Sequence, residues 1–316
     1  MEHGGETGRT GSVGDMKQLI YAHRGSSAAF AENTRAAFLQ ALADGADGVE
    51  CDVHLTADHR VVCHHDPTVD RTSNGTGPVS AYTLDQLRAL DFSAWKGAVL
   101  PEAYGTAAEQ VLTLAELVEL LRGAGREVGL AVELKHPSPF GRLLEEKVLA
   151  ELEALGWDPA ASRVGSVAVS FMSFDPGSVA HLLKAVPPEF LCQLVDNVDT
   201  EWVEEILRVD PSGREEVVRA LAREAVGAVA QLDAGRVGIA GPGVGFVRRH
   251  PGLVRRWLEA GLVFRVWTVD RDADVDYLSG LGIQQLTSNR PAQVRARLEA
   301  ERRPAVDGGG EGGGAR

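Results

Sequence analysis

Four short stretches of this 316-residue chain hold side chains suited to acid–base and phosphate chemistry. His23-Arg24-Gly25 follows the apolar run LIYA (19–22), and Glu50-Cys51-Asp52 lies inside GVECDV (48–53). His65-Asp66 follows RVVCH (60–64), and Glu133-Leu134-Lys135 closes VGLAVEL (128–134). Residues two apart on a strand share a side, so Glu50 and Asp52 face together. Buried acids side by side are costly unless something positive neutralises them. With Glu133 they make three hard oxygen donors, a set suited to Mg²⁺, Ca²⁺ or Mn²⁺. The competing reading pairs Glu50 and Asp52 with Arg24 and Lys135 in salt bridges. It loses ground because those cations are better used on a phosphate: Arg24 as a bidentate fork, Lys135 as a point charge.

His23 and His65 stand at separate strand ends and titrate in the range a general acid and base require. Either histidine alone reads more readily as structural; the two flanking a metal site read as a pair. His54 continues the Glu50–Asp52 alternation and is also expected to face inward. His59 sits in the turn ADHR and is expected in solvent, and His64 is expected to point away from His65. Trp267, in LVFRVWTV (262–269), is either an aromatic wall for an apolar part of a substrate or ordinary core.

These residues need a scaffold that brings strand ends together. Apolar β-like runs alternate with helical patterns along the chain; the later runs are VGSVAVSFM (164–172), FLCQLV (190–195), RVGIA (236–240) and GIQQLT (282–287). Asn33 or Thr34 can cap a helix stopping at Gly45, and Thr113 with Glu116 forms a capping box. Alternating β and α units with continuously apolar strands predict a parallel sheet covered by helices. The expected fold is a (β/α)8 TIM barrel over 17–302, whose sites collect at the carboxyl ends of the strands. Nine runs compete for eight places, and FLCQLV and RVGIA are the weakest. A doubly wound sheet is the alternative, lowered by the lack of a Gly-rich fingerprint after the first run. Residues 67–112, after the third run, read as a small insertion over the barrel mouth. Residues 1–16 and 303–316 are Gly-rich and polar, and read as disordered tails.

The formal net charge of -13 argues against nucleic acid as partner, since backbone binding relies on excess Lys and Arg. It leaves room for a small phosphorylated substrate in a local cationic pocket. Cys51, Cys63 and Cys192 fit no zinc spacing and read as buried hydrophobes, weakly implying a reducing compartment. No apolar leader region and no membrane-length apolar run is visible, so the expected location is the cytoplasm.

The stretches AHRGSSAAFAENTRAAF (22–38), GADGVECDVHLTAD (45–58) and VVCHHDPTVDRTSNGTGPVSAYTLDQL (61–87) resemble the glycerophosphodiester phosphodiesterase family. VELK, Ser173-Phe174 and VWTVD extend the likeness over roughly residues 19–291. The resemblance implies a (β/α)8 barrel with an insertion after the third strand. It implies metal-dependent hydrolysis of glycerophosphodiesters to glycerol 3-phosphate and an alcohol. Carried over by position, Glu50, Asp52 and Glu133 bind metal, His23 and His65 are the acid/base pair, and Arg24 and Lys135 hold the phosphate. Asp66 orients the site, and Trp267 packs against the glycerol. The nucleophile is either water or the substrate's own glycerol hydroxyl, by way of a cyclic phosphate. Two departures stand out: Ala31 replaces a common Pro, and the closing Thr-Asp-x-Pro appears as Thr287-Ser288-Asn289-Arg290-Pro291. The second leaves the last strand end without its acid. A lysophospholipase D-type enzyme on the same barrel is the alternative, and would want an exposed apolar rim. A non-catalytic phosphate-binding module would lack one of the two histidines, and both are present.

Overall fold

The computed structural model describes residues 17–197 and 214–302. The two tails read from the sequence lie outside those residues. Eight parallel strands close on themselves: β1 (Leu19–His23), β2 (Gly48–Leu55), β4 (Val128–Leu134), β6 (Val167–Ser173), β7 (Leu191–Val195), β8 (Ile239–Pro242), β9 (Val263–Val266) and β10 (Gln285–Ser288). Closure is direct, because β1 pairs with β10 on one side and β2 on the other. The fold is a TIM barrel.

The supernumerary run is neither of the two weakest. FLCQLV supplies β7 and RVGIA contributes to β8, both in the barrel. The outsider among the nine is RVVCH, whose strand β3 (Val61–Cys63) turns back antiparallel on the end of β2. A turn with His59 at φ 58° makes that reversal. A two-residue strand β5 (Arg163–Val164) folds back on β6 in the same way.

Among the described helices, α1 (Arg35–Ala43) follows β1, and Thr34, not Asn33, caps it by accepting from the Ala37 N–H. Helix α3 (Leu114–Arg122) opens with the Thr113–Glu116 capping box. Between β3 and α3 the insertion holds one short helix, α2 (Leu84–Arg88), and several single 3₁₀ turns. Helices α4 (Leu143–Ala154), α5 (Pro176–Leu182), α6 (Arg214–Asp233), α7 (Val244–Arg249), α8 (Pro251–Glu259), α9 (Asp272–Gly280) and α10 (Pro291–Arg302) complete the outer layer.

Strand alternation sorts the apolar residues into separate cores. Val49, Cys51 and Val53 of β2 and Leu130, Val132 and Leu134 of β4 join the large core between strands and helices. Tyr21, Ala131, Met172, Cys192 and Ile239 fill the barrel interior. Gly48 and Gly129 are required there, because a Cβ on either would stand 2.5 Å from the Tyr21 side chain, from the ring at Gly48 and from the hydroxyl at Gly129. Arg265 lies buried under the site, over the Tyr21 ring and hydrogen-bonded to Gln285 and Ser170. The insertion has its own core of Val62, Val69, Val79, Leu84, Leu87, Phe92 and Val111.

Candidate active site

The same alternation that points Val49, Cys51 and Val53 outward points Glu50 and Asp52 inward. Register then sets their neighbours: His23 lies beside Glu50, and Asp52 beside Glu133. Glu50, Asp52 and Glu133 each offer an oxygen within 4.8 Å of the others, and all are buried. Glu50 Oε2 accepts the Arg24 N–H at 2.9 Å, and Asp52 Oδ2 accepts from Asn33 Nδ2 at 2.8 Å. Their other oxygens, Glu50 Oε1 and Asp52 Oδ1, are buried without a hydrogen-bond partner. Buried, unpaired carboxylate oxygens are expensive. Burial and the charges of Asp52 and Glu133 push the Glu50 carboxyl well above its ordinary value. Glu133 is pushed up to about 7 by burial, with Lys135 opposing and Asp52 adding. Burial works against ionisation of Asp52 too, but Arg24, His65 and Lys135 outweigh it and hold its carboxyl well below its ordinary value. Three convergent acids, two with orphaned oxygens, fit a hard divalent cation.

Both cations are in place. Arg24 lies with Nε 3.2 Å from Asp52 and NH1 2.8 Å from Glu32. Lys135 Nζ is 2.9 Å from Glu133 and 3.5 Å from Asp52. The salt-bridge reading of these cations is thus met in part: Arg24 and Lys135 pair with Asp52, and Lys135 also with Glu133.

The histidines reach the site by different routes. His23 ends β1, whereas His65 arrives from the antiparallel β3, beyond a backbone bond from His64 N–H to the Asp52 carbonyl. His23 Nδ1 contacts Asn289 Oδ1 at 2.8 Å, and His65 Nδ1 contacts Asp66 Oδ1 at 2.7 Å. Burial, then Arg24, lowers His23 to about 4. Burial, then Lys135 and Arg24, lowers His65 to about 3. His54 is buried and bonded to the His65 carbonyl, and His64 points away, to the Thr68 carbonyl and the Phe92 edge. His59 is exposed, edge-on to Phe140. Trp267 follows β9, half-buried, with Nε1 donating to the Gly241 carbonyl and its ring edge-on to Phe174.

Sequence reasoning passed over several supporting residues. Arg71, in the insertion, grips both Asp66 and Glu32, and so links His65 to Arg24. Asn33 was readable as a helix cap, but its φ of 55° turns it toward Asp52 instead. The end of the last strand is not idle despite its missing acid: Asn289 meets His23, and Asp270 holds Asn289.

A closed parallel barrel gathers acids, histidines and cations at the carboxyl ends of its strands, where the active sites of barrel enzymes collect. The sequence model of the glycerophosphoryl diester phosphodiesterase family matches residues 23–293. A probable glycerophosphodiester phosphodiesterase 1 of Mycobacterium tuberculosis is 38% identical over 282 residues, covering 89% of this chain and 92% of its own. A glycerophosphodiester phosphodiesterase of Bacillus subtilis is 27% identical over 275 residues, covering 86% and 84%. Among solved structures, a putative glycerophosphoryl diester phosphodiesterase from Agrobacterium tumefaciens superposes with a TM-score of 0.65 at 27% identity, covering 90% of this chain and 99% of that one. The chain belongs to the glycerophosphoryl diester phosphodiesterase family, and is a phosphoric diester hydrolase. No helix among the described residues is long and apolar enough to cross a membrane.

Proposed function

We propose that the enzyme hydrolyses glycerophosphodiesters to sn-glycerol 3-phosphate and an alcohol, with a divalent metal on Glu50, Asp52 and Glu133 and with His23 and His65 as acid/base pair. The observation that carries this reading is the convergence of three buried acids, two of them with an oxygen that has no hydrogen-bond partner, beside two histidines and two cations. Bound there, Mg²⁺, Ca²⁺ or Mn²⁺ would supply Lewis-acid neutralisation of phosphate charge. Arg24 and Lys135 turn from the acids to the phosphate oxygens and stabilise the charge that grows in the transition state. Both histidines are neutral at rest, since their proton affinities are depressed. A bound phosphate brings negative charge beside them and favours protonation of one. One histidine then takes the proton of the attacking oxygen and the other protonates the leaving alcohol. Trp267 offers an apolar wall for the glycerol carbons, and Asp66 orients His65 through its Nδ1. One catalytic unit spans residues 17–302. Cys51, Cys63 and Cys192 are free and buried, which suits a reducing compartment, and we place the enzyme in the cytoplasm.

A coupled assay for glycerol 3-phosphate release from several glycerophosphodiesters tests this, with EDTA and with added Mg²⁺ or Ca²⁺. Release should stop in EDTA and return with metal. His23→Ala and His65→Ala should each lose about 10²–10⁴-fold in kcat with the fold intact. Hydrolysis indifferent to EDTA, or a near-wild-type histidine variant, would sink the reading.

A further inference from the structure

A phosphodiester has two arms that leave phosphorus in different directions. Trp267 follows β9 and takes the glycerol arm in the reading above. β9 stands three strands round the barrel from β2, by way of β10 and β1. The alcohol arm therefore points across the mouth, to the side where β2 runs into β3 and the insertion.

That side carries an exposed indole. Trp95 is 39% exposed, in the 3₁₀ turn Ala94–Lys96 of the insertion, with Nε1 donating to the Phe92 carbonyl at 3.1 Å. Two cations lie over its ring: the Arg71 guanidinium 5.8 Å and the Lys96 ammonium 5.6 Å from the centroid. Arg71 ties this turn to the reacting groups, since it holds Asp66, the partner of His65, and Glu32, the partner of Arg24. Arg71 is thus neutralised by two carboxylates, whereas among the described residues no carboxylate pairs with Lys96. Asp91, the acid nearest to Lys96 in sequence, is engaged within the turn, accepting from the Ser93 N–H and Oγ and from the Ala94 N–H. On a chain of net charge -13, a cation without a counter-ion beside the mouth is a local excess.

A bare aromatic ring in this place would attract a quaternary ammonium group. Here two protein cations already lie over the ring, and they repel a third. An uncharged polyol meets no such repulsion. Its hydroxyls can accept from the Lys96 ammonium while its carbons lie against the indole.

We propose that Trp95 and Lys96 form the alcohol subsite and determine specificity there, favouring diesters whose alcohol is an uncharged polyol over those whose alcohol carries a quaternary ammonium. The proposal rests on the glycerophosphodiester reading above.

Rates of glycerol 3-phosphate release by the full, metal-loaded enzyme test this, with the glycerol and the choline diesters of sn-glycerol 3-phosphate as substrates. The glycerol diester should be preferred by about tenfold in kcat/KM, mostly through KM, because the subsite grips ground state and transition state alike. Lys96→Glu should bring the ratio to about one or below, with Lys96→Met between, and kcat on the glycerol diester should stay within about twofold. Trp95→Ala should raise KM for the glycerol diester about fivefold, and Trp95→Phe should restore it. A measurement on the wild type alone gives a second check. Raising ionic strength from about 20 mM to about 500 mM should shrink the preference, since salt screens an exposed repulsion while the phosphate charge, common to both substrates, cancels from the ratio. A wild type that prefers the choline diester, or a ratio that neither Lys96→Glu nor salt alters, overturns the subsite alone. Release from neither diester overturns it together with the reading it rests on.

Discussion

Asn33 and Asp52 hold each other twice: Asn33 Nδ2 donates to Asp52 Oδ2 at 2.8 Å, and Asn33 Oδ1 accepts the Asp52 N–H at 3.3 Å. The effect is to aim the second carboxylate oxygen, Oδ1, into the acid cluster. Asn33→Ala should weaken metal binding about 10–100-fold, as loss of an outer partner does. Asn33 has φ 55°, so Asn33→Gly keeps the backbone comfortable and should still fail to restore affinity. Calorimetric titration of the metal-free protein reads both variants; unchanged affinity in Asn33→Gly would refute the aiming role.

Glu133 gives a pH prediction. Burial pushes its carboxyl from 4.5 to about 7. At pH values below 4.5 both folded and unfolded chains hold the proton, and ionisation costs the fold nothing. As pH rises to about 7, the unfolded chain ionises first, so the metal-free fold loses stability through that window. Glu133→Gln removes the effect, and in EDTA it should be more stable than wild type at alkaline pH, by on the order of 3 kcal/mol, with the gap closing in acid. Saturating Mg²⁺ should reverse the order. Calorimetric melting across pH checks it, and a wild type that is the more stable in alkaline EDTA would contradict it.

Arg71 sends Nε and NH2 to Asp66, at 2.7 and 2.8 Å, and NH1 and NH2 to Glu32, at 3.0 and 2.7 Å. No ammonium can span that fork. Allowing for partial exposure, each charged contact is worth about 1 kcal/mol. Arg71→Lys and Arg71→Met should therefore both lower kcat, by about tenfold. Full activity in Arg71→Lys would show that charge alone suffices.

Phe92 anchors the insertion's core and meets the His64 ring edge-on with centroids 5.6 Å apart. Phe92→Ala should remove about 3–5 kcal/mol of packing from that small core. Because His65 is the next residue, activity should fall at temperatures where the barrel is still folded. Hydrogen exchange would show residues 67–112 opening first; a single cooperative loss together with the barrel would argue against a separable core.

The site was legible where its chemistry follows strand periodicity. Glu50 and Asp52 alternate with Cys51, and that alone places them together on the inner face. The parallel barrel was legible for the same reason. The odd strand was not: RVVCH has the same apolar character as a barrel strand, and antiparallel pairing leaves no mark in residue type. Gly238 interrupts the apolar character of RVGIA, yet it sits where the chain runs against the Glu189 backbone and a Cβ would come within 2.6 Å of it. The supporting residues were hidden for another reason. Asn289 is 266 positions from His23, and Arg71 is 39 from Glu32, so only the fold reveals them as partners. Asn in a left-handed turn is a faint signal, and at Asn33 a helix cap explained it just as well.

The bridge between Val62 and Thr113, with Cys63 N–H bonded to the Leu112 carbonyl at 2.9 Å, puts the departure and return of the insertion side by side. A detour that begins and ends at one place imposes almost no length on the rest of the chain, since loop-closure cost grows only with the logarithm of its size. The insertion is thus an exchangeable cassette. Its length and packing can be exchanged while the eight-stranded vessel beneath keeps its register.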